Sequence, residues 1–534
     1  MAEVKVKRTK KKQLGQFMTP LFRCQYIISS ITLQKSDKVL EPSFGCGNFI
    51  ITLIEKFLPH YEGTIYQKLD IILTENIWGI EFDEEQYNLC LENIKNKWGY
   101  LPQKHNLVLS DYFLWETSIK FDWIIGNPPF GGTLNPKYQD EWDKKWGWRC
   151  GQKIKKETYS FFMIKSVELL TSNGNLIFIS SDTFLTIKTM KGLRMFLFSE
   201  GMNTIQKLEN FSEETDYPMI VLTHNRGLKS DHIILNDVVI PGENMKKTDN
   251  FSWNIDNQYA KYFTGDKLSK YLIASSGMTI GKNELFLKEI RDDNTIIEEY
   301  EYSFFDDPIT LEVEYKKARN GKISAAKVSQ IQKLEQDGKT RRNVRITKRD
   351  EPIVIQLPHP DYRFYNKASN EILFAKPNTV VFWKDDGDAV ITYKKNGPWY
   401  LHGVGGKPFF LKEGLTWQLI SSSIKAKYLP EGYILDSGAP IAVLKSGIEK
   451  RELLFIIGWL LTTKCNEILK GVINHTKNIQ SKDIERLPYP FWVSDDDKSK
   501  IIDIVKKSIN HKKSTNSIHE DFNNLELLFQ FSNI

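Results

Sequence analysis

Residues 39–49 read Val39-Leu40-Glu41-Pro42-Ser43-Phe44-Gly45-Cys46-Gly47-Asn48-Phe49. Val39 to Glu41 is a short strand closed by Pro42, and a Gly-rich turn follows it at once. Gly45 and Gly47 let the chain turn tightly and let a ligand approach the backbone. The third glycine of the dinucleotide fingerprint is missing, since Ile50 stands there, and no phosphate-cradling G-x-x-x-x-G-K-[ST] loop is present. Taken alone, the stretch is a turn after a strand. Its meaning comes from its surroundings.

Working outward, strands and amphipathic helices alternate. Leu21 to Leu33, Glu84 to Trp98, Thr158 to Leu170 and Met190 to Phe198 read as helices. Ile77 to Phe82, Asn106 to Leu109, Phe121 to Ile125, Asn175 to Ser180 and Met219 to Thr223 read as strands. This alternation predicts an α/β fold, a doubly wound, Rossmann-like parallel sheet, with its ligand site at the carboxyl ends of the strands. The expected organisation is a basic tail over 1–12, this domain over 13–228, and a separate α+β region over 229–534 that ends in helices.

Three successive strands end in a carboxylate. Besides Glu41, Glu81 closes the second strand, where it can accept both hydroxyls of a ribose. Asp111, in Ser110-Asp111-Tyr112-Phe113, closes the third, where it can accept from an adenine amino group while an aromatic ring covers the base. The fourth strand runs through Gly126 into Asn127-Pro128-Pro129-Phe130. Two prolines fix two φ angles and remove two donors, so a rigid turn is the plain reading. A turn gives no reason for Asn before it and Phe after it. An exocyclic amino nitrogen is a poor nucleophile, because its lone pair is delocalised into the ring. Asn127 Oδ1 and the Pro128 carbonyl, both accepting from that NH₂, would draw the nitrogen toward tetrahedral geometry and aim its lone pair at an electrophilic methyl. Phe130 can stack on the base, worth on the order of 1–3 kcal/mol.

Leu14-Gly15-Gln16-Phe17-Met18-Thr19-Pro20, the Glu41–Phe49 turn, Gly79-Ile80-Glu81-Phe82-Asp83, Ser110 to Phe113 and Ile124 to Phe130 form an ordered set. In that order it resembles the motifs of γ-class N6-adenine DNA methyltransferases of restriction–modification systems. The resemblance spans about residues 13–226 and implies S-adenosylmethionine as cofactor. It places Phe17 and Thr19 at the methionine end and Glu41, Gly45 and Gly47 in the cofactor turn. Glu81 takes the ribose and Asp111 and Tyr112 the adenine. Asn127 to Phe130 form the catalytic motif, and Phe211 is a second aromatic against a flipped target base. It also implies a double-stranded DNA substrate with a specific site, a bacterial or phage-encoded cytoplasmic enzyme, and room for a separate restriction endonuclease as partner. A monomer is expected, with no metal and no membrane.

A base inside a duplex cannot be reached without being extruded, so DNA must be held firmly. Between Gly131 and Lys156, Tyr138, Trp142, Trp146 and Trp148 lie among cations that include Lys144 and Lys145, which suits a strand-gripping loop as well as a surface lid. Gly414 to Ser423, Tyr433 to Asp436 and Asn474 to Pro490 resemble target-recognition regions of large modification enzymes and of type I specificity subunits. There Trp417, Ser422, Lys425 and Lys427 are candidate DNA contacts, and Arg341, Arg342 and Arg345 are candidates for phosphate grip or a solvated charge run. Asp307 and Glu314-Tyr315-Lys316 only faintly match a nuclease pattern. The competing readings are an RNA or protein-glutamine N-methyltransferase and a non-catalytic DNA-specificity protein.

Composition sets the bounds. The 534 residues are 41% hydrophobic and 26% charged, which excludes a mostly disordered or collagen-like chain. The net charge of +6 is concentrated in residues 1–12, where six cations face Glu3 alone. Five scattered cysteines without a C-x-x-C give neither a disulfide framework nor a zinc ribbon, and the zinc-deaminase signature is absent. The longest apolar run, Leu453 to Leu461, is about half of what a membrane-spanning helix needs.

Overall fold

The computed structural model describes residues 18–129, 134–208, 219–280, 282–308, 332–333, 336–338, 340–393 and 407–530. The first part of the chain gives, in order, α1 (Leu21–Ser29), β1 (Val39–Glu41), α2 (Asn48–Phe57), α3 (Ile65–Ile71), β2 (Ile77–Glu81), α4 (Glu84–Trp98), β3 (Asn106–Leu109), β4 (Phe121–Gly126), α5 (Gln139–Trp146), α6 (Thr158–Leu169), β5 (Leu170–Ser181), α7 (Lys191–Glu200), β6 (Met202–Leu208), β7 (Met219–Asn225), β8 (His232–Leu235) and β9 (Val238–Pro241). Local signals set several boundaries. The Asp83 carboxylate accepts from the N–H of Glu85 at 3.0 Å and caps α4, which stops at Gly99 with φ +69°.

The nine strands form one sheet in the order β9-β8-β6-β7-β5-β4-β1-β2-β3. β1 is parallel to β2 and β4, β2 to β3, and β4 to β5, while β7 runs antiparallel between β5 and β6. The central strands are covered on both faces. Val39, Ile77, Leu107, Ile125 and Ile177 pack with Ile27, Phe49, Leu53, Leu69 and Ile94 from the helices. The alternate residues Leu40, Ile80, Ile124, Leu176 and Phe178 are buried as well. Two buried faces explain why these strands read as continuous apolar runs. The fold of this unit is an open, doubly wound, Rossmann-like α/β sheet, parallel over its central strands.

Two features depart from the expected elements. The boundary expected at residue 228 falls inside the sheet: β8 pairs with β6, β9 pairs with β8, and the compact unit continues to Lys261 and includes Gly471–Ile473. The polar stretch Lys229-Ser230-Asp231 belongs to a short connection between two strands of the sheet and is not a linker between units. The strand β6 had no clear period, because the buried Asn203 stands where an apolar residue would have signalled it. Asn203 Nδ2 donates to the carbonyls of Leu197 and Gly201, and its Oδ1 meets His224 Nδ1 at 2.9 Å.

Tyr262–Lys470 and Asn474–Ile534 form a second compact unit. Its strands are β10 (Leu272–Ser275), β11 (Leu287–Glu289), β12 (Thr295–Pro308), β13 (Thr340–Gln356), β14 (Tyr362–Asn366), β15 (Thr379–Phe382), β16 (Gly414–Thr416), β17 (Lys427–Leu429), β18 (Tyr433–Leu435) and β19 (Ile441–Leu444). They make a sheet β10-β19-β16-β17, a sheet β11-β15-β14-β18, and a long ribbon β12-β13. The helix Asp495–Thr515 packs on Arg451–Leu460 near the end of the chain. The mixed sheet-and-helix texture matches the α+β expectation. No described helix is long and apolar enough to cross a membrane.

One buried cation holds the first unit together behind its sheet. Arg194 on α7 is fully buried, and its guanidinium donates to the carbonyls of Phe184, Ile187, Asn250 and Phe251. Arg194→Met keeps the bulk and strands four buried acceptors. It is expected to destabilise the protein by at least about 3 kcal/mol, read as a lower unfolding midpoint in denaturant.

Candidate active site

The strands β1 to β4 are parallel, so their carboxyl ends lie along one sheet edge. The strand order reverses at β1 and β4, which places the crevice of the fold there. Glu41 is the last residue of β1, Glu81 the last of β2, Asp111 lies two residues beyond β3, and Asn127 follows β4 directly. The sequence-predicted residues of the four strand ends are therefore neighbours in space.

The turn after β1 needs its glycines. Gly45 and Gly47 have φ +54° and +87°, and a Cβ on Gly47 would stand 2.3 Å from Cys90 Sγ. Glu81 ties this turn to the next strand. Its Oε2 accepts from the N–H of Gly45 at 2.7 Å, and Oε1 accepts from Phe82 and Asp83 at 2.9 and 2.8 Å. Burial still pushes the Glu81 carboxyl up, against the three backbone donors. Glu41 is buried more deeply, and its Oε2 has no hydrogen-bond partner among the described residues. Burial, and then the charge of Glu81, raise its pKa well above the ordinary carboxylate range, with the Ile50 N–H opposing. Two buried carboxylates at one turn, one with an orphan oxygen, form a site whose charge calls for a cationic ligand. A sulfonium nucleoside carrying an ammonium group fits that donor set.

The loop after β3 has a cation of its own. Asp111 accepts from the Phe113 N–H at 2.9 Å; burial raises its pKa, opposed by that bond and by Lys165. Lys165 on α6 is buried and donates to the carbonyls of Tyr112 and Trp115, the latter at 2.6 Å. Burial, with Lys145 nearby, pulls its ammonium down to about 8, against the carboxylates Asp111, Glu116 and Glu168. Lys165 therefore pins the loop that presents Asp111. The sequence carried a signal for it: one lysine inside the apolar helix Thr158–Leu169. Tyr112 is a correction. Its ring is buried, stacked on Phe162 with centroids 4.7 Å apart, and its hydroxyl meets Ser166 at 3.0 Å, so it cannot cover a ligand base. Among the described residues, an exposed aromatic of this edge is Phe82, 63% exposed, one residue beyond Glu81. An aromatic directly after a strand-ending acid was the signal that sequence reasoning passed over.

Asn127 is held from two sides. Ser43 Oγ donates to its carbonyl at 3.4 Å, and its Nδ2 donates to Thr19 Oγ1 at 3.1 Å. Thr19 is buried, and its own carbonyl accepts from Asn48 Nδ2 at 2.8 Å. Pro128 is buried behind Asn127 and Pro129 half-buried. Phe17, Phe130 and Phe211 lie outside the described residues.

The expected DNA contacts divide. Lys144 and Lys145 are exposed on α5, but Trp142 and Trp146 of the same helix are core residues packed on Phe113, with ring centroids 4.8 and 5.7 Å away. Only Trp148 of that group is largely exposed. In the second unit Trp417 is fully buried and donates from Nε1 to the Ile479 carbonyl at 3.0 Å, so it cannot touch DNA. Lys427 is buried too and donates to the Ser369 carbonyl at 3.1 Å. Arg342 is paired with Asp385 at 3.2 Å and Asp388 at 2.9 Å, which answers its charge locally. Arg345 is exposed on β13 with its guanidinium 5.4 Å from the Phe305 ring, and Ser422 is exposed in a loop. The backbone of Arg341 faces Asp307 in the ribbon, its side chain lies outside the described residues, and so do Glu314 to Lys316.

Among solved structures, a DrdV–DNA complex aligns with 95% of this chain and 58% of its own at 14% identity and a TM-score of 0.56. The type IIL restriction-modification enzyme MmeI in complex with DNA aligns with 97% and 72% at 11% identity and a TM-score of 0.52. These likenesses concern the fold. By sequence, the type II methyltransferase M.HincII of Haemophilus influenzae is 27% identical over 237 residues, 42% of this chain and 40% of its own. M.TthHB8I of Thermus thermophilus is 26% identical over 234 residues, 41% and 46%. The matched part spans less than half the length of those relatives. Residues 32–216, which hold the Glu41–Gly47 turn, Glu81, Asp111 and Asn127, match the model of the family described as Eco57I restriction-modification methylase.

Proposed function

We propose that the protein is a site-specific DNA methyltransferase that places a methyl group on N6 of an adenine extruded from duplex DNA, with S-adenosylmethionine as donor. The observation that carries this reading is the junction of two motifs: Asn127-Pro128-Pro129 leaves β4 beside the Glu41–Gly47 turn of β1, joined to it by the Ser43–Asn127 hydrogen bond. The family match over that span and the methyltransferase relatives support it.

Glu41 and the Gly45–Gly47 turn hold the amino-acid end of the cofactor, and Thr19 lies beside them against Asn127. Glu81 takes the ribose, Asp111 the adenine amino group, and Phe82 covers the purine in place of Tyr112. Bound S-adenosylmethionine supplies an electrophilic methyl on a sulfonium and a neutral thioether as leaving group. The chain supplies the rest. Asn127 Oδ1 and the Pro128 carbonyl accept hydrogen bonds from the target amino group and free its lone pair from the ring. As N6 bonds the methyl, the carbon–sulfur bond breaks to leave the thioether, and the methylated nitrogen then loses its extra proton to solvent. Phe130 and Phe211 stack on the base. Buried dipoles fixed in advance act here without reorganising. Lys144, Lys145, Arg345 and Ser422 are the exposed candidates for DNA contact. The protein acts as a monomer in the cytoplasm of a bacterium or phage host and marks sites against a separate endonuclease.

Labelled methyl transfer to unmethylated duplex DNA tests the reading. Asn127→Ala is expected to slow transfer by about 10²-fold or more while cofactor affinity, read by calorimetry, is unchanged. Loss of cofactor binding in that variant would count against the assigned role, and transfer to RNA or protein instead of DNA would replace the substrate. Glu41 gives a pH signature. A carboxylate attracts a cation only when ionised, so affinity for the cofactor is expected to rise with pH through the raised Glu41 pKa. Glu41→Gln should weaken binding and reduce that rise in calorimetric titrations from acidic to neutral pH.

A further inference from the structure

We infer that the Thr19 hydroxyl is the anchor that sets the working orientation of the Asn127 carboxamide, and that Asn48 holds Thr19 in place. The inference rests on the methyl-transfer reading and deepens it.

A carboxamide has two faces of nearly equal size and opposite chemistry, an acceptor Oδ1 and a donor Nδ2. Only one orientation serves an amino-group substrate. If Nδ2 faces the target NH₂, two donors meet and the lone pair is not released. In the structure Nδ2 points to Thr19 Oγ1 at 3.1 Å, which presents Oδ1 on the opposite side of the amide. The bond does two things. It keeps a donor of a half-buried amide satisfied, which makes rotation of the side chain costly. It also draws electron density toward Oδ1, because hydrogen bonds in series polarise one another, and so improves the acceptor that faces the substrate. Flipping the amide would break this bond and would require the Thr19 hydroxyl to turn from acceptor to donor. With a donor substrate on the other side, only the productive orientation satisfies both contacts.

Thr19 is itself located by the cofactor turn. Asn48 is the first residue of α2, directly after Gly47, and its Nδ2 donates to the Thr19 carbonyl at 2.8 Å. On the chain side, the next residue, Pro20, accepts from Arg23 at 2.9 Å in the first turn of α1. The N-terminal Thr19-Pro20 motif, the cofactor turn and the catalytic motif are therefore joined by two side-chain hydrogen bonds. Thr19 and Asn48 are positioning residues in this account.

The division of roles can be read with two conservative variants, in single-turnover methyl transfer at saturating cofactor and DNA, with cofactor affinity measured separately by calorimetry. Thr19→Val keeps the methyl and the shape and loses the hydroxyl. It is expected to slow transfer by about 10²-fold with the cofactor Kd unchanged. Thr19→Ser keeps the hydroxyl and is expected to recover most of the rate lost in Thr19→Val. Asn48→Ala provides an independent arm, expected to slow transfer less than Thr19→Val does, with thermal unfolding followed for every variant. Wild-type transfer rates in Thr19→Val, or a weakened cofactor Kd with an unchanged rate at saturation, would overturn the anchor. A wild-type rate in Asn48→Ala would remove Asn48 from it. If the wild-type protein itself transfers no methyl to DNA, the reading beneath the inference fails, and the inference with it.

Discussion

The strand β1 has a parallel neighbour on each side, β2 and β4, and the chain leaves it in one direction and returns in the other. Right-handed crossovers then carry the two sets of connections over opposite faces of the sheet, and a crevice opens at the carboxyl ends where they part. Everything chemical in the first unit is assembled at that crevice. The Gly45–Gly47 turn lies at it, its two positive-φ glycines letting the chain turn tightly from β1 into α2. On the proposed function the Asn127-Pro128-Pro129 motif uses it as well, since a target group would meet the cofactor from the neighbouring strand end. The order of the strands brings the motifs together without either having to reach.

The electrostatics of the crevice follow from burial. Glu41 and Glu81 are both withdrawn from water, and burial, then the charge of Glu81, make the ionised state of Glu41 harder to sustain. Such an arrangement is costly without a ligand and favourable with a cationic one. Along the same edge Lys165 provides the opposite charge, not for a ligand but for the carbonyls of the Asp111 loop. A buried ammonium that bonds two backbone oxygens fixes loop shape more firmly than apolar packing would, since rotating the loop would leave those acceptors unsatisfied.

The catalytic half was legible because its signals are local. A strand closed by Pro42, glycines at two positive-φ positions, an acid at each strand end and two prolines after Asn127 are each written within a few residues. Together they gave the fold and brought the right strand ends into register. What failed depends on partners far along the chain. Tyr112, Trp142, Trp146 and Trp417 sit among polar residues in sequence, yet each is buried by rings or carbonyls contributed from elsewhere. Arg342 looked like a free cation until the fold brought Asp385 and Asp388 to it. The boundary at residue 228 was misplaced because a polar connection between two strands of one sheet has the composition of a linker. The Thr19–Asn127 contact, between residues 108 positions apart, has no sequence signature at all.

The central claim is that Asn127 and the Pro128 carbonyl act on an adenine amino group. The most direct measurement is nucleoside mass spectrometry of unmethylated genomic DNA after incubation with the protein and S-adenosylmethionine. The account predicts N6-methyladenine and no other new nucleoside. A methylated cytosine, or no methylated base while the protein still binds the cofactor, would contradict it.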